Sequence, residues 1–295
     1  MTGRSPERRA EPSRRGRSPW GGAVRRLARN RWATAGGAVF VLFGIMALAA
    51  PLLTPHNPIR LNVAESLEPP SARHWLGTDQ FGRDVLARII YGARVSMVMG
   101  VVAVTISVVA GSALGLLSGY YRGPVDLLVM RLVDVMLAFP GILLALVIIA
   151  VLGPNLGSAM IAVGISGMPL FVRVVRSSTL AVRALQYVEA AQVAGGGDVR
   201  VLVRHVLPNV ITPVIVLVTL GIPAAIVAGA ALSFLGLGVQ PPTPDWGEML
   251  SKGRAFMSTA WWLSTFPGLA IAIAVLSINR FGDGLRDALD PRMKL

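Results

Sequence analysis

The sequence predicts an all-α integral membrane protein with six transmembrane helices. Of its 295 residues, 54% are hydrophobic and 15% are charged, whereas an ordinary soluble domain carries about 25% charged residues. The mean hydropathy is +0.63. Six stretches match the roughly 20 apolar residues that a membrane helix needs. A soluble protein built on six such stretches would have almost no residues left for a polar surface, so buried core helices are not a satisfactory alternative.

The six predicted spans follow one another along most of the chain. Four of them contain no charged residue. The third has Arg131 and Asp134 in its first two turns, and the fourth has Arg173 and Arg176 near its end. These four charges are expected to snorkel to the bilayer boundary and pair there. In chain order the spans are 32–53, 95–120, 127–152, 158–180, 208–238 and 260–278.

Three glycines at four-residue spacing mark the second span, at Gly111, Gly115 and Gly119. Small residues at this spacing let two helices approach closely in lipid. The run therefore predicts a helix-packing seam.

The net charge of +13 is distributed unevenly. The segment before the first span has ten arginines against Glu7 and Glu11, and the loop after the fourth span is also basic. Basic loops stay in the cytoplasm, so both termini are predicted to be cytoplasmic. A nucleic-acid-binding role for the tail is the alternative; contact with anionic lipid is the interpretation we favour.

A cleavable signal peptide is a second alternative for the N-terminus, because Ala47-Leu48-Ala49 resembles a cleavage site. The apolar run is longer than a usual signal-peptide core. An uncleaved membrane anchor is therefore expected.

The composition excludes several kinds of chemistry. There is no cysteine, and neither of the two lysines, Lys252 and Lys294, lies in a phosphate-binding loop. Any ATP-driven work must therefore come from a partner chain. The span interiors offer no proton relay, although backbone carbonyls leave an ion-driven carrier open. No catalytic or metal site is expected, and His56 and His74 are interpreted as surface histidines.

Two features predict how the outer segments meet the membrane. Residues 79–94 alternate charged and apolar positions, which is typical of an interfacial surface helix. Three tryptophans are expected to form an aromatic belt at the outer boundary: Trp246, Trp261 and Trp262.

The loop between spans four and five contains a predicted helix. Residues 185–194 are good helix formers with small side chains, and Gly195 follows them as a C-cap glycine would. Leu207 and Pro208 then lead into the fifth span, with proline tolerated in the first turn. A slim helix of this kind is suited to insert into a groove on another protein.

The same loop resembles the EAA motif of binding-protein-dependent ABC importer permeases. Glu189-Ala190-Ala191, then Gly195, then Leu207-Pro208 fit that motif in residue type and spacing. In that family the loop forms the coupling helix that docks into the ATPase subunit. The resemblance implies these docking residues: Tyr187, Glu189, Ala190, Ala191, Ala194, Gly195, His205, Leu207 and Pro208.

Segments 75–86, 232–242 and 282–291 look like those of the C-type permeases that serve dipeptides, oligopeptides and nickel. The resemblance covers about 30–292 and departs at Gly196 and Gly197, where relatives usually have Ala or Ser. It implies a MetI-like core of five spans plus one N-terminal span. The predicted divisions are a basic, disordered cytoplasmic tail (1–31), the first span with its extracytoplasmic loop (32–94), the core with coupling loop 181–207 (95–282) and a cytoplasmic C-terminal segment (283–295).

The resemblance implies a non-catalytic permease subunit of an ATP-driven importer for di- and oligopeptides in a bacterial cytoplasmic membrane. Nickel chelates, glutathione or haem precursors are alternative solutes. The expected partners are a homologous B-type permease, two ATPase subunits that bind the ATP and Mg²⁺, an extracytoplasmic solute-binding protein and membrane lipid. No cofactor is expected in this chain. Bulky residues proposed for the translocation pathway are Met136, Phe139, Met168, Phe171 and Phe234.

Overall fold

The computed structural model describes residues 25–289, and regular secondary structure in that range is helical. Short 3₁₀ turns lie at Val63–Glu65 and Arg254–Phe256, and a π-helical turn lies at Leu202–Val206. In chain order the α-helices are α1 Arg31–Leu48, α2 Ala50–Leu53, α3 Val85–Tyr121, α4 Gly123–Leu137, α5 Gly141–Leu152, α6 Leu156–Arg183, α7 Gln186–Val193, α8 Asp198–Val201, α9 Leu207–Phe234, α10 Trp246–Gly253 and α11 Trp262–Leu289.

Six crossings are confirmed, although one of them is broken. Helices α1, α3, α6 and α11, and α9 together with the turns before it, are long and apolar enough to span a bilayer. Helices α4 and α5 make the sixth crossing as a pair bent by 96°. The span predicted over 127–152 is interrupted between α4 and α5, because Pro140 disfavours helical backbone at Phe139 and has no N–H to donate.

The predicted glycine seam packs α3 against α6. A Cβ built on Gly115 would lie 2.8 Å from the Cβ of Val175, and one on Gly119 would lie 2.7 Å from that of Thr179. Residue numbers rise together along both helices, so α3 and α6 run parallel. The α4–α5 pair carries the chain back between them.

The two ends of the described range lie together. Arg26 donates two hydrogen bonds, of 2.6 and 3.1 Å, to the backbone oxygen of Ala288, and α1 packs antiparallel to α11 through Gly36. Residues 25 and 289 therefore both lie on the side of the helix bundle that holds α7. We call that side the α7 end, and we call the opposite side, which holds α10, the α10 end. Residues 1–24 and 290–295 lie outside the described residues, so most of the predicted tail (1–31) and part of segment 283–295 fall there.

The predicted interfacial helix over 79–94 is wrong. Residues 79–84 form a turn, Asp84 caps the next helix by accepting a 2.7 Å hydrogen bond from the amide of Ala87, and α3 begins at Val85. With 37 residues, α3 is about 55 Å long, whereas a bilayer core is about 30 Å thick. Its first turns extend past that thickness and are buried by the protein: Val85 and Ala87 have no exposed surface.

The predicted aromatic belt is also wrong for two of its three members. Trp246 and Trp262 are buried, and their indole N–H groups donate to the backbone oxygens of Ile89 and Thr78 at 3.0 and 3.1 Å. Trp261 alone of the three is exposed. The segment after α9 turns back over the start of α3, so these indoles face protein rather than lipid headgroups.

Candidate docking loop and buried ionic cluster

Helix α7 forms where the sequence predicts it. Ala194 follows it as the C-cap, and Gly195 has a φ of +84°, a conformation that glycine adopts without strain. The amide of Gly196 then donates a 3.0 Å hydrogen bond to the oxygen of Ala191, which closes the helix end.

One apolar side chain anchors α7 to the bundle. Val188 has no exposed surface and lies in an apolar cluster contributed by α3, α6, α8 and α9. Its buried neighbours in that cluster are Tyr120, Val175, Val201, Val206, Val210 and Val214.

The phenol of Tyr120 fixes both ends of the loop around α7. It accepts a 3.0 Å hydrogen bond from the amide of Gln192 and donates one of 2.9 Å to the carboxylate of Asp198. The guanidinium of Arg183 lies over its ring, 5.3 Å from the centroid, and donates to its backbone oxygen. The end of α3 is thereby connected to α6, α7 and α8.

A second anchor joins Tyr187 to the start of α9. The amide of Asn209 donates to the Tyr187 hydroxyl at 3.0 Å and to the backbone oxygen of His205 at 2.7 Å. The Tyr187 and His205 rings lie 6.3 Å apart. Leu207 and Pro208 occupy the first turn of α9 as predicted.

The remaining loop residues form an exposed surface, which we call the docking surface: Glu189, Ala190, Val193, Ala194 and Val199. Val193 and Val199 are 85% and 72% exposed. Apolar side chains next to Glu189 and Arg200 suit a protein partner better than lipid.

The proposed pathway residues do not lie together on one open face. Met168 and Phe171 are buried inside the chain, where Phe171 packs against Gly111 of the glycine seam. Met136 and Phe234 are half-buried, and Phe139 is exposed beside the α4–α5 bend. Between α3, α5, α6 and α9 lies a cavity of about 250 Å³, lined by small residues and by larger ones that include Phe171. Its sequence signal is the glycines and alanines of these helices, among them Gly141, Ala145, Gly167, Gly221 and Ala225.

The predicted pairing of the boundary charges is confirmed in part: Arg173 pairs with Asp134, Arg176 pairs with Asp126 instead, and Arg131 forms no ion pair within residues 25–289. The guanidinium of Arg176 forms two hydrogen bonds with the carboxylate of Asp126, at 2.5 and 2.6 Å. Arg173 lies 2.9 Å from Asp134. These pairs join α6 to α4.

An ionic cluster at the α10 end was missed by the sequence analysis. Arg88 is 2% exposed and lies 3.1 Å from the carboxylate of Glu248 and 3.6 Å from that of Asp79. Arg83 pairs with Asp79 at 2.7 Å, and Arg88 also donates to the backbone oxygen of Pro58. In the sequence, this cluster shows only as similar numbers of acidic and basic residues in the two outer segments.

Burial changes the pKa of two carboxyl groups at the α10 end. Burial raises the pKa of Glu248, and the facing charge of Arg88 opposes that rise. Burial also raises the pKa of Asp245, which caps α10 by accepting from the amides of Gly247 and Glu248 at 3.1 and 3.2 Å. The hydroxyl of Ser96 donates to the other oxygen of Asp245 at 3.1 Å.

The interpretation of His74 as a surface residue is wrong. It is 3% exposed, with Nδ1 2.8 Å from the carboxylate of Asp84 and Nε2 3.3 Å from that of Glu65. His56 is half-buried, and its ring lies 5.1 Å from that of His74. Asp84 lies at the buried start of α3, and its contact with Nδ1 holds His74 inside the protein.

Comparison with known proteins gives one consistent result. Residues 111–295 match the family described as binding-protein-dependent transport system inner membrane component, and residues 18–70 match the N-terminal transmembrane domain of oligopeptide transport permease C. The chain is 48% identical over 277 residues to the dipeptide transport system permease protein DppC of Alkalihalophilus pseudofirmus, covering 94% of this chain and 91% of that one.

Two further relatives carry related names. The di/tripeptide transport system permease protein DppC of Pseudomonas aeruginosa is 46% identical, with 91% and 90% of the two chains covered. The glutathione transport system permease protein GsiD of Pectobacterium atrosepticum is 43% identical, with 94% and 93% covered.

A solved structure supports the fold. A chain of the inward-facing MetNI methionine ABC transporter superposes with a TM-score of 0.55 at 17% identity. The match covers 69% of this chain and 96% of that one. At this identity the likeness concerns the fold, which agrees with the predicted MetI-like core.

Proposed function

The chain belongs to the binding-protein-dependent transport system inner membrane components, and from that membership we propose that it is the permease subunit of an ATP-driven importer for di- and oligopeptides. The observation that carries the proposal is the docking surface on α7, which exposes apolar side chains on a rigidly held helix. Two relatives named for dipeptide or di/tripeptide transport support the substrate class.

The docking surface fits the ATPase subunit of such an importer. Ala190 on α7 and Ala194 at its C-cap are exposed and small, so the helix is slim enough to enter a groove. Val193 supplies apolar area for burial there. ATP and Mg²⁺ are bound by two such ATPase subunits, since neither lysine of this chain lies in a phosphate-binding loop.

The α7 end is proposed to face the cytoplasm. The loop around α7 is basic, and both ends of the described range lie at that end. The α10 end then faces a solute-binding protein outside the membrane. A B-type permease would cover the exposed faces of α4 and α5, which include Phe139, Val147 and Val151, and the pathway would run between the two permeases.

Movement of the ATPase can reach the membrane helices through the anchors of α7. Val188 and Gln192 tie α7 to Tyr120 at the end of α3. The glycine seam packs α3 so closely against α6 that a displacement of one moves the other. The ATPase thus switches the pathway by moving α3 and α6 as a unit.

The docking role is tested with Ala190→Glu in the complete transporter. A charged side chain on the exposed α7 face should prevent entry into an apolar groove and reduce both ATPase co-purification and peptide uptake. Ala72→Glu makes the same change at an exposed position of the α10 end and should retain ATPase co-purification. Normal ATPase binding and uptake by Ala190→Glu would refute the docking role.

A second variant tests the helix end. A Cβ added at Gly195 has nothing within 4 Å, so within this chain Gly195→Ala acts through its positive φ. The variant should reshape the end of α7 and lower ATPase-driven uptake. Uptake equal to that of the parent would show that the loop shape after α7 does not matter.

Glutathione is the second candidate solute, because a relative at 43% identity is named for its transport. Proteoliposomes containing the complete transporter and its binding protein can be given labelled dipeptides, tetrapeptides and glutathione in parallel. ATP-dependent uptake of the peptides in preference to glutathione supports the proposal. The reverse order would transfer the assignment to glutathione.

A further inference from the structure

We propose that His56, His74 and Asp84 bind a divalent transition-metal ion, Zn²⁺ by the chemistry of its ligands, at the α10 end. One ligand atom from each of the three side chains lies within 4.8 Å of the others. The site is independent of ATPase docking, since it lies at the opposite end of the bundle.

The spacing requires only a small movement to close on an ion. Tetrahedral zinc with bonds of 2.0–2.1 Å holds its ligand atoms roughly 3.3 Å apart. His74 Nδ1 and Asp84 Oδ2 are 2.8 Å apart, so these two atoms must separate by about 0.5 Å to take tetrahedral positions around the ion. His56 lies on the loop before Pro58 and is half-buried, so its ring has room to approach.

The surroundings of His74 supply a second ligand on one ring nitrogen and a supporting carboxylate on the other. Both ring nitrogens face carboxylates, Asp84 at 2.8 Å and Glu65 at 3.3 Å. With a metal ion on Nδ1 and Asp84, the neutral imidazole of His74 donates its Nε2–H to Glu65. Metal-binding histidines commonly direct their second nitrogen to a carboxylate in this way.

Asp84 can ligate without losing its structural role. Its Oδ1 accepts the 2.7 Å hydrogen bond that caps α3, while Oδ2 faces His74. Two imidazoles and one carboxylate form a ligand set that suits Zn²⁺, with water as a fourth ligand.

A metal ion can reach the three ligands from solvent. A cavity of about 380 Å³ opens onto His56, Glu65, His74 and Asp84, so an ion and its waters can enter. A bound ion would connect the loop that contains His56 with the first turn of α3. This connection would stabilise the α10 end.

The experiment uses the full chain purified with a tag that contains neither histidine nor cysteine. The chain itself has three histidines and no cysteine, and His205 lies at the α7 end, so background binding of Zn²⁺ is low. Zn²⁺ content after gel filtration and competition with a colorimetric chelator give stoichiometry and affinity. We expect one Zn²⁺ per chain and a thermal unfolding midpoint that Zn²⁺ raises.

His56→Ala should weaken Zn²⁺ binding by at least about tenfold and abolish the Zn²⁺-dependent rise in the midpoint. Arg60→Gln changes an exposed residue of the same cavity that offers no metal ligand, and should bind Zn²⁺ as the parent does. Equal unfolding midpoints of His56→Ala and parent in EDTA establish that the variant folds. A parent that retains no Zn²⁺, or a His56→Ala variant that binds as tightly as the parent, would overturn the proposal.

Discussion

The side-chain amide of Gln192 on α7 lies 3.0 Å from the phenolic oxygen of Tyr120 in the last turn of α3. The same oxygen donates to Asp198 at 2.9 Å, so one hydroxyl connects a membrane helix with both sides of the glycine-rich turn. The docking surface on α7 therefore has a direct mechanical link to α3.

Tyr120→Phe is expected to weaken transport more than ATPase binding. Loss of the hydroxyl removes both hydrogen bonds, each worth about 1 kcal/mol, while Val188 still holds α7 in place. We expect less peptide transported per ATP hydrolysed in proteoliposomes. Tyr121→Phe is the matched control, because Tyr121 is exposed and its hydroxyl has no hydrogen-bond partner within residues 25–289. Identical transport by the two variants would remove Tyr120 from the coupling route.

Gly115→Ala is expected to loosen the α3–α6 seam. The added Cβ would lie 2.8 Å from the backbone oxygen of Val172, which cannot move without moving α6. Overpacking of this kind costs about 1–3 kcal/mol, measured as a lower thermal unfolding midpoint in detergent. Gly44→Ala in α1 meets nothing within 4 Å and should be neutral or stabilising by up to about 1 kcal/mol. A seam variant as stable as Gly44→Ala would contradict the packing argument.

Glu248→Ala is expected to be severely destabilising. It removes the carboxylate 3.1 Å from Arg88 and leaves that buried guanidinium with only the more distant carboxylate of Asp79, at 3.6 Å. Breaking a buried pair in this way costs about 3–5 kcal/mol. Arg73→Ala breaks an ion pair whose arginine is largely exposed at the same end, and should cost at most about 1 kcal/mol. Equal unfolding midpoints of the two variants would show that Arg88 does not depend on Glu248.

Asp245→Asn is expected to be tolerated at neutral pH and to reduce the pH dependence of stability. Burial raises the pKa of Asp245, so the folded state holds this proton more tightly than the unfolded chain does. The contribution of Asp245 to the free energy of unfolding is highest at low pH. It falls as pH rises from about 3.9, the unfolded value, through the raised folded pKa, and stays constant above it.

The comparison that isolates this effect is the difference in unfolding midpoint between parent and Asp245→Asn across pH 4–8. We expect the parent to lose stability relative to the variant as pH rises. Asn can still cap α10, whereas Asp245→Ala loses the cap and should be about 1 kcal/mol less stable than Asp245→Asn at every pH. If the parent instead becomes more stable relative to Asp245→Asn as pH rises, the pKa of Asp245 is lowered in the folded state rather than raised.

Features that depend on neighbouring residues were predicted correctly from the sequence. The number of crossings follows from the length of apolar runs, and the glycine seam follows from a four-residue period. Helix α7 and its end at Gly195 follow from helix-forming residues and a terminal glycine. Each of these signals is complete within one segment.

Features that depend on distant residues were predicted incorrectly or missed. Residues 79–94 looked amphipathic because their charges were assumed to face water. In the structure Arg88 is neutralised by Glu248, 160 positions away in the chain. Trp246 was expected in an aromatic belt and His74 at the surface, and both are buried.

By itself, the sequence determined a six-span helical membrane protein, a glycine packing seam on its second span and the loop helix that resembles a coupling helix. The tertiary structure alone decided that the outer segments fold into a buried ionic cap over α3, and that His56, His74 and Asp84 come together. The physical reason is that a buried charge is stable only beside its partner. Whether a charged residue is buried therefore depends on contacts that form only when the chain folds.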